Sequence, residues 1–218
     1  GKRIPNLYDR CVSQMKYLAE NIQNEKVKQV ILNDIAMKYV KKNGIRNITD
    51  LENIYNAYVT DPDLRAAYKE IRDQWDLTSV GRPSPDFKGQ DINGKTLSLK
   101  DFNGKYLYID VWATWCGPCK KEIPFLKELE KKFEGKNITF LSLSTDQNKT
   151  DWENMVKSGE LSGTQLLIGR GSQFQKDYNI NGIPHFILLA PEGKIVNASM
   201  IRPSSPDIEK VLNALPGI

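Results

Sequence analysis

Two cysteines three positions apart, Cys116 and Cys119, stand where an apolar run gives way to a helical pattern. The run Tyr106-Leu107-Tyr108-Ile109-Asp110-Val111 reads as a buried strand, and Glu122 to Glu130 reads as a helix. A Cys-x-x-Cys pair at a strand-to-helix junction constrains the chain strongly, because strand, turn and helix must all be in place around it. The thiolate is the reactive form of cysteine, and the free N–H groups at a helix start stabilise it. Pro118 suits that first turn, where its missing N–H forfeits no bond. Cys116 is then expected at or next to the helix N-cap with its sulfur exposed, and Cys119 one turn further in. In such a pair the outer thiolate attacks a disulfide and the inner cysteine resolves the mixed disulfide.

Other uses of two close cysteines fit less well. A zinc site needs about four ligands, and only Cys11 and His185 remain to complete one, without the spacing of a second pair. A purely structural bridge fits less well, since exposed short-loop disulfides are the reactive kind. Three cysteines are too few for a disulfide scaffold and leave one unpaired, so their number does not fix the compartment. Acids and bases are interleaved to a net charge of +4, which gives no stripe for nucleic acid. No apolar run approaches the ~20 residues that span a bilayer. The chain begins Gly1-Lys2-Arg3, compatible with a processed product, so an export signal or lipid anchor upstream stays open.

At 218 residues there is room for one large domain or two modest ones. Residues up to about 77 read as helical. A helix is expected around Leu7–Ile22 and another from about Asn24 to Asn43, with Val27, Val30, Ile31 and Ile35 at helical spacing and Gly44 as its stop. Thr49-Asp50-Leu51-Glu52 has the form of a capping box. Asp61-Pro62 opens a last helix whose apolar stripe is Leu64, Ala67, Tyr68, Ile71 and Trp75. The segment 78–85, rich in proline, glycine and serine, suggests a linker or domain entrance. Beyond it, Asn93-Gly94 signals a hairpin within 87–99. Strands are then expected at 106–112, 138–144, 165–168, 184–189 and 194–198, and helices at about 117–133, from Thr150, from Ser172 and from Pro206 to Leu215. Such alternation argues for an α/β fold, a central sheet covered by helices.

The stretch Tyr108 to Lys120, with Trp112-Ala113-Thr114-Trp115-Cys116-Gly117-Pro118-Cys119, resembles the thioredoxin active site almost residue for residue. Gly182-Ile183-Pro184 resembles the family's second signature, whose proline is cis and faces the cysteines. Pro85-Asp86-Phe87, Asn93-Gly94, Leu99, Phe102 and Gly104-Lys105, with the long interval from Cys119 to Pro184, look like the TlpA/ResA branch. The resemblance covers about residues 80–218 and implies a thioredoxin fold, a central mixed sheet flanked by helices, at 78–218. Residues 1–77, expected as a small all-helical domain, match nothing in that pattern. The resemblance also implies roles: Cys116 as nucleophile, Cys119 as resolver, and Asp110 as a buried proton acceptor behind the inner cysteine. Glu122 matches a glutamate thought to tune the pair, although an acid early in a helix is favourable for dipole reasons alone. Trp115, Gly117, Pro118, Ile183 and Pro184 would form the substrate groove, and Pro124 matches a helix-bending proline. A carboxylate in an apolar strand is costly without a partner or a task, and its desolvation raises its pKa, which agrees with the role given to Asp110. Trp112 reads as core, His185 as a half-buried or groove-lining residue, and Cys11 as a small hydrophobe in the first helix.

The expected activity is therefore thiol–disulfide exchange on protein dithiols and disulfides, with an upstream thiol donor. The resemblance implies reduction as its direction, and a place outside the cytoplasm, in the periplasm or cell envelope and often membrane-tethered. No metal or organic cofactor is implied; the electrons reside on the Cys116–Cys119 pair. An oxidant or isomerase of the same fold is one rival reading. A thiol peroxidase would need Pro and Thr where Ile109 and Ala113 stand. An adaptor that docks a partner through its helical half is the other rival.

Overall fold

A computed structural model describes residues 6–218; the first five residues of the helical region expected at 1–77 lie outside it. The chain divides into two compact units, Gly1–Asp76 and Leu77–Ile218.

Among its described residues the first unit holds four helices, α1 (Leu7–Asn21), α2 (Glu25–Asn43), α3 (Thr49–Tyr58) and α4 (Pro62–Asp76). Side-chain oxygens of Asn6, Asn24 and Asp61 each accept backbone N–H groups of the helix that follows, at 2.9–3.1 Å. These caps satisfy donors that the first turn cannot pair internally. Met15, Leu32, Ala36, Val40, Leu51 and Tyr55 close the core, and Tyr55 stacks on Tyr68 with ring centroids 4.1 Å apart. Gly44 ends α2 at φ +74°.

Three expectations for this unit fail in whole or in part. The buried row of α2 is Lys28, Leu32, Ala36 and Val40, while Val27 and Val30 are exposed and Ile31 and Ile35 lie only partly covered. Lys28 joins the row because its aliphatic stem packs inward while its ammonium reaches Glu25 at 2.8 Å. The capping box does not form either. Ile48 holds the N-cap position of α3 without a side-chain bond, and Thr49 is already helical. Glu52 instead accepts from Arg72 Nε at 2.6 Å, and the Leu51 N–H donates to the Tyr8 hydroxyl at 3.4 Å. On α4, Ala67 faces out, and Tyr68 is the fully buried member of the expected stripe.

The second unit is built on a seven-stranded sheet. Its elements are β1 (Lys88–Gln90), β2 (Thr96–Ser98), a 3-10 turn (Leu99–Phe102), β3 (Tyr106–Trp112), α5 (Gly117–Lys132) and β4 (Ile138–Ser144). Then come α6 (Lys149–Lys157), β5 (Thr164–Leu167), α7 (Gln173–Asp177), β6 (His185–Leu189), β7 (Ile195–Asn197) and α8 (Ile208–Asn213). The sheet order is β2-β1-β5-β4-β3-β6-β7. β3, β4 and β5 run parallel, with crossovers through α5 and α6, and the remaining neighbours pair antiparallel. Gly94, at φ +81°, supplies the conformation the β1–β2 turn needs.

All seven residues of β3 are buried, as suits a central strand covered on both faces. Leu107, Ile109 and Val111 pack with Leu141, Leu143 and Phe174 on one side. Tyr108 packs on the other with Phe140, Leu126 and Leu129, beneath α5. Asp110 and Trp112 follow Tyr108 on that second face, since alternate strand residues share a side.

The segment expected as a linker or domain entrance is tied down onto the second unit. The Gly81 N–H donates to the Ile195 carbonyl and the Ile195 N–H to the Arg82 carbonyl, both at 2.8 Å. The Ser84 N–H donates to the Gly193 carbonyl at 2.9 Å, and Pro83 bridges Lys194. A proline is tolerated there because an edge position needs no inward N–H.

Candidate active site

β3 delivers the chain to the sheet's carboxyl end, where residues 113–116 turn into α5. The Cys116 N–H donates to the Ala113 carbonyl at 3.1 Å and closes that turn. Cys116 is the N-cap of α5, and its Sγ accepts the Cys119 N–H at 3.2 Å. The two sulfurs form a disulfide. Both cysteines are buried, Cys116 at 4% exposure and Cys119 at 3%. The expectation of an exposed Cys116 sulfur therefore needs correction. Trp112, Ala113, Trp152 and Ile183 pack around the pair and cover it, which no local signal in the motif announces.

Ile183 and Pro184 lie beside the disulfide, joined by a cis bond, and the Ile183 carbonyl oxygen is 3.7 Å from Cys116 Sγ. A reduced Cys116 could donate its S–H to that oxygen. Trp115 is 63% exposed, and Gly117 and Pro118 are open to solvent, so the rim over the disulfide is apolar and uncharged. His185, next along, is half-buried with Nε2 2.7 Å from the Ala198 carbonyl oxygen. Burial holds its pKa below the ordinary range, against the opposing pull of that carbonyl. Pro124 sits inside α5, where its missing N–H deprives Lys120 of a helical partner.

Asp110 is buried on the α5 side of β3, and its Oδ1 has no hydrogen-bond partner. Desolvation, then repulsion from Glu122 and Glu130, lifts its pKa from 3.8 to about 8. A carboxyl that titrates close to neutrality keeps a minor carboxylate fraction there, which can accept a proton, and gives that proton up again readily. Glu122 is buried too, at 6% exposure. It accepts from the Ser204 N–H at 3.0 Å and the Ser204 hydroxyl at 2.9 Å, and Arg202 Nη1 lies 3.8 Å away. Its charge is thus held by the segment before α8 rather than left to the helix dipole alone.

A third buried acid was missed in the sequence. Asp146, 3% exposed just past β4, accepts from the Thr114 N–H at 3.0 Å, the Thr114 hydroxyl at 2.7 Å and the Ser144 hydroxyl at 2.7 Å. The Thr145 N–H and hydroxyl donate to the Trp112 carbonyl at 2.9 and 3.1 Å. Together these bonds fix the loop that carries Cys116. A signal was available: Ser144-Thr145-Asp146 is a polar run at the carboxyl end of a parallel strand, where open α/β sheets place their sites.

Cys11 lies in the other unit, buried and unbonded to sulfur, with burial pushing its thiol pKa up. Among the described residues no group of three or more His, Cys, Asp or Glu side chains is placed to hold a metal.

Comparison with known proteins gives this geometry a context. The family model described as Redoxin matches residues 79–215. Thiol-disulfide oxidoreductase ResA of Bacillus thuringiensis subsp. konkukian is 30% identical over 136 residues, 62% of this chain and 78% of that protein. ResA of Bacillus subtilis is 31% identical over 118 residues, 54% of this chain and 65% of that one. A Bacteroides vulgatus protein solved in solution is 57% identical, with a TM-score of 0.56 over 61% of this chain and 88% of its own. A thiol-disulfide oxidoreductase from Bacteroides fragilis is 31% identical, with a TM-score of 0.53 over 61% and 98%.

Proposed function

Because the chain belongs to the redoxin family, and is a TlpA/ResA-like thiol-disulfide oxidoreductase within it, we propose that it reduces protein disulfides through Cys116 and Cys119. The observation that carries this reading is the Cys116–Cys119 disulfide at the start of α5, with the Ile183 carbonyl 3.7 Å from Cys116 Sγ. After reduction, Cys116 is the nucleophile. Its thiolate keeps the Cys119 N–H as a charge-assisted donor and gains from the helix N-terminus. It attacks one sulfur of the substrate disulfide and expels the other as a thiolate. Cys119 then loses its proton to Asp110 and attacks Cys116, which re-forms the internal disulfide and releases the second substrate thiolate. Trp115, Gly117 and Pro118 on one side, with Ile183 and Pro184 on the other, line the groove for the substrate backbone. Glu122 tunes the pair from beneath α5.

The electrons reside on the two sulfurs, so the cycle uses no metal or organic cofactor, and an upstream dithiol donor restores the reduced form. Resemblance to the TlpA/ResA branch favours a site of action outside the cytoplasm, with any tether lying beyond residues 6–218. Among those residues no helix is long and apolar enough to cross a membrane.

Direction is tested by equilibrating the protein in graded glutathione buffers and reading Cys116 and Cys119 by alkylation and mass. A midpoint near about −270 mV supports the reductase, and one near about −120 mV makes the protein an oxidant or isomerase. A pair that forms no disulfide at any potential would overturn the reading altogether.

A further inference from the structure

Asp110, Ser142 and Gln165 are register partners on β3, β4 and β5, so the three polar side chains form a row across one face of the sheet. The face is otherwise apolar beneath α5. A polar row in such a place is costly unless each group finds a partner. Four buried atoms here do not: Asp110 Oδ1, Gln165 Oε1, Ser162 Oγ and the Trp112 Nε1 donor make no hydrogen bond of good geometry. All four residues line one small cavity with Ile123 and Ser142. The cavity leaves about 10 Å³ for the centre of a water molecule, the room one buried water requires, and such a water needs two to four polar partners. The Gln165 amide is fixed from its other end, Nε2 donating to the Ser162 carbonyl at 2.6 Å, so Oε1 is held as an acceptor.

We propose that Ser162 and Gln165 hold a water molecule against Asp110, and that this water and Glu130 conduct the proton of Cys119 to solvent. The proposal rests on the reading of Asp110 as the proton acceptor of Cys119. Ile123, a wall of the cavity, is one helical turn beyond Cys119, which places the cavity on the inner side of the resolving cysteine. Glu130, also on α5, sets its carboxyl beside Ser162, a wall of the cavity. Its Oε1 lies 2.6 Å from where a side chain on Gly163 would begin, so only glycine, here at φ +65°, leaves the carboxylate its place beside Ser162.

The charged groups facing Asp110 are Glu122 and Glu130 from α5. Lys127, also on α5, lines the cavity but carries its ammonium to the Gly159 carbonyl at 3.4 Å. Burial raises the Glu130 pKa, and the nearby Ser162 hydroxyl eases it back. Two carboxyls displaced toward neutrality and linked by a hydroxyl, an amide and a water suit proton transfer in either direction. In the step itself, Cys119 gives its proton to the Asp110 carboxylate as its sulfur bonds to Cys116. The bond from Cys116 to substrate breaks, and its electron pair leaves on the substrate thiolate. Asp110 then passes the proton through the water to Glu130 and out. Reduction by the dithiol donor returns a proton along the same path.

Gln165 and Ser162 are thus positioning residues, and their effect is read from proton transfer. Single-turnover reduction of a model peptide disulfide at pH 7, in H2O and D2O, compares the parent with Gln165→Leu, Ser162→Ala, Ser162→Thr, Glu130→Gln and Asp110→Asn. The expected result is a slowing of about tenfold in Gln165→Leu and Ser162→Ala, a modest part of what acid–base catalysis supplies. A larger solvent isotope effect accompanies it, and Ser162→Thr restores the rate. A high-resolution crystal structure of the parent is expected to show the water, and that of Gln165→Leu to lack it. Parental rates and isotope effects in Gln165→Leu and Glu130→Gln, with Asp110→Asn slow, would overturn the relay and leave Asp110 as acceptor. A parental rate in Asp110→Asn would remove that acceptor reading, and the relay with it.

Discussion

Replacing Asp110 with asparagine is expected to stabilise the oxidised protein by an amount that grows with pH. In the folded chain the carboxyl has its pKa lifted to about 8 from 3.8, and unfolding returns it to the ordinary value. Between those values the folded state retains a proton that the unfolded state has lost. Stability of the parent therefore falls as pH rises through that window and levels off above it. Each unit is worth about 1.4 kcal/mol, so the roughly four-unit shift sets an upper bound of about 5–6 kcal/mol above pH 8, about 4 at pH 7 and under 2 at pH 5. Relaxation around the charge and the hydrogen bonds that a buried amide itself demands reduce the gain to roughly half. Urea unfolding of the oxidised 218-residue chain at pH 5, 7 and 9, at matched ionic strength, measures the difference. The expected gap between variant and parent widens from about 1 to about 3 kcal/mol. A gap equal at all three pH values would refute the reasoning, because a cost that does not titrate is not desolvation of a carboxylate.

Asp146→Ala strips the acceptor from the Thr114 N–H, the Thr114 hydroxyl and the Ser144 hydroxyl. It is expected to destabilise the second unit by about 2–4 kcal/mol, seen as a lower Tm, and to slow disulfide turnover by loosening the loop before Cys116. Cys119→Ser is expected to accumulate a mixed disulfide between Cys116 and substrate, detected by intact mass, whereas Cys116→Ser forms none; an adduct confined to Cys116→Ser would reverse the assigned roles. Glu122→Gln removes a charge that faces Asp110. The Asp110 titration, followed by its infrared carboxyl band, is expected to move below about 8, and an upward move would contradict the electrostatic account.

What the sequence made legible was whatever depends on near neighbours. The hairpin at Asn93-Gly94, the seven residues of β3 and the proline-started helix after Cys116 each carry a local signal that the fold leaves unopposed. Three kinds of feature were not legible. Val27 and Val30 look like a buried stripe, yet the face of α2 is decided by α1, α3 and α4, and Lys28 takes a core position by stretching its charge outward. Thr49 and Glu52 have the spacing of a cap, but a guanidinium twenty residues away claims the carboxylate. At the site, the Glu122 partner is Ser204, which is 82 positions distant. Asp146 likewise reaches Thr114 across 32. Local pattern reading carries no information about such bonds, so it found the reacting sulfurs and missed the groups that hold them.

The tying of residues 81–84 to β7 has a consequence at the margin of the sheet. An outermost strand offers a row of unpaired amides on which another chain can template itself, a route to swapped or fibrillar aggregates. Here the outer side of β7 is already occupied by Gly81, Arg82 and Ser84, and the occupying segment carries Pro83, which offers no N–H of its own. The opposite margin, β2, is only three residues long. With one margin covered and the other short, the sheet offers an incoming strand little to pair with at either edge.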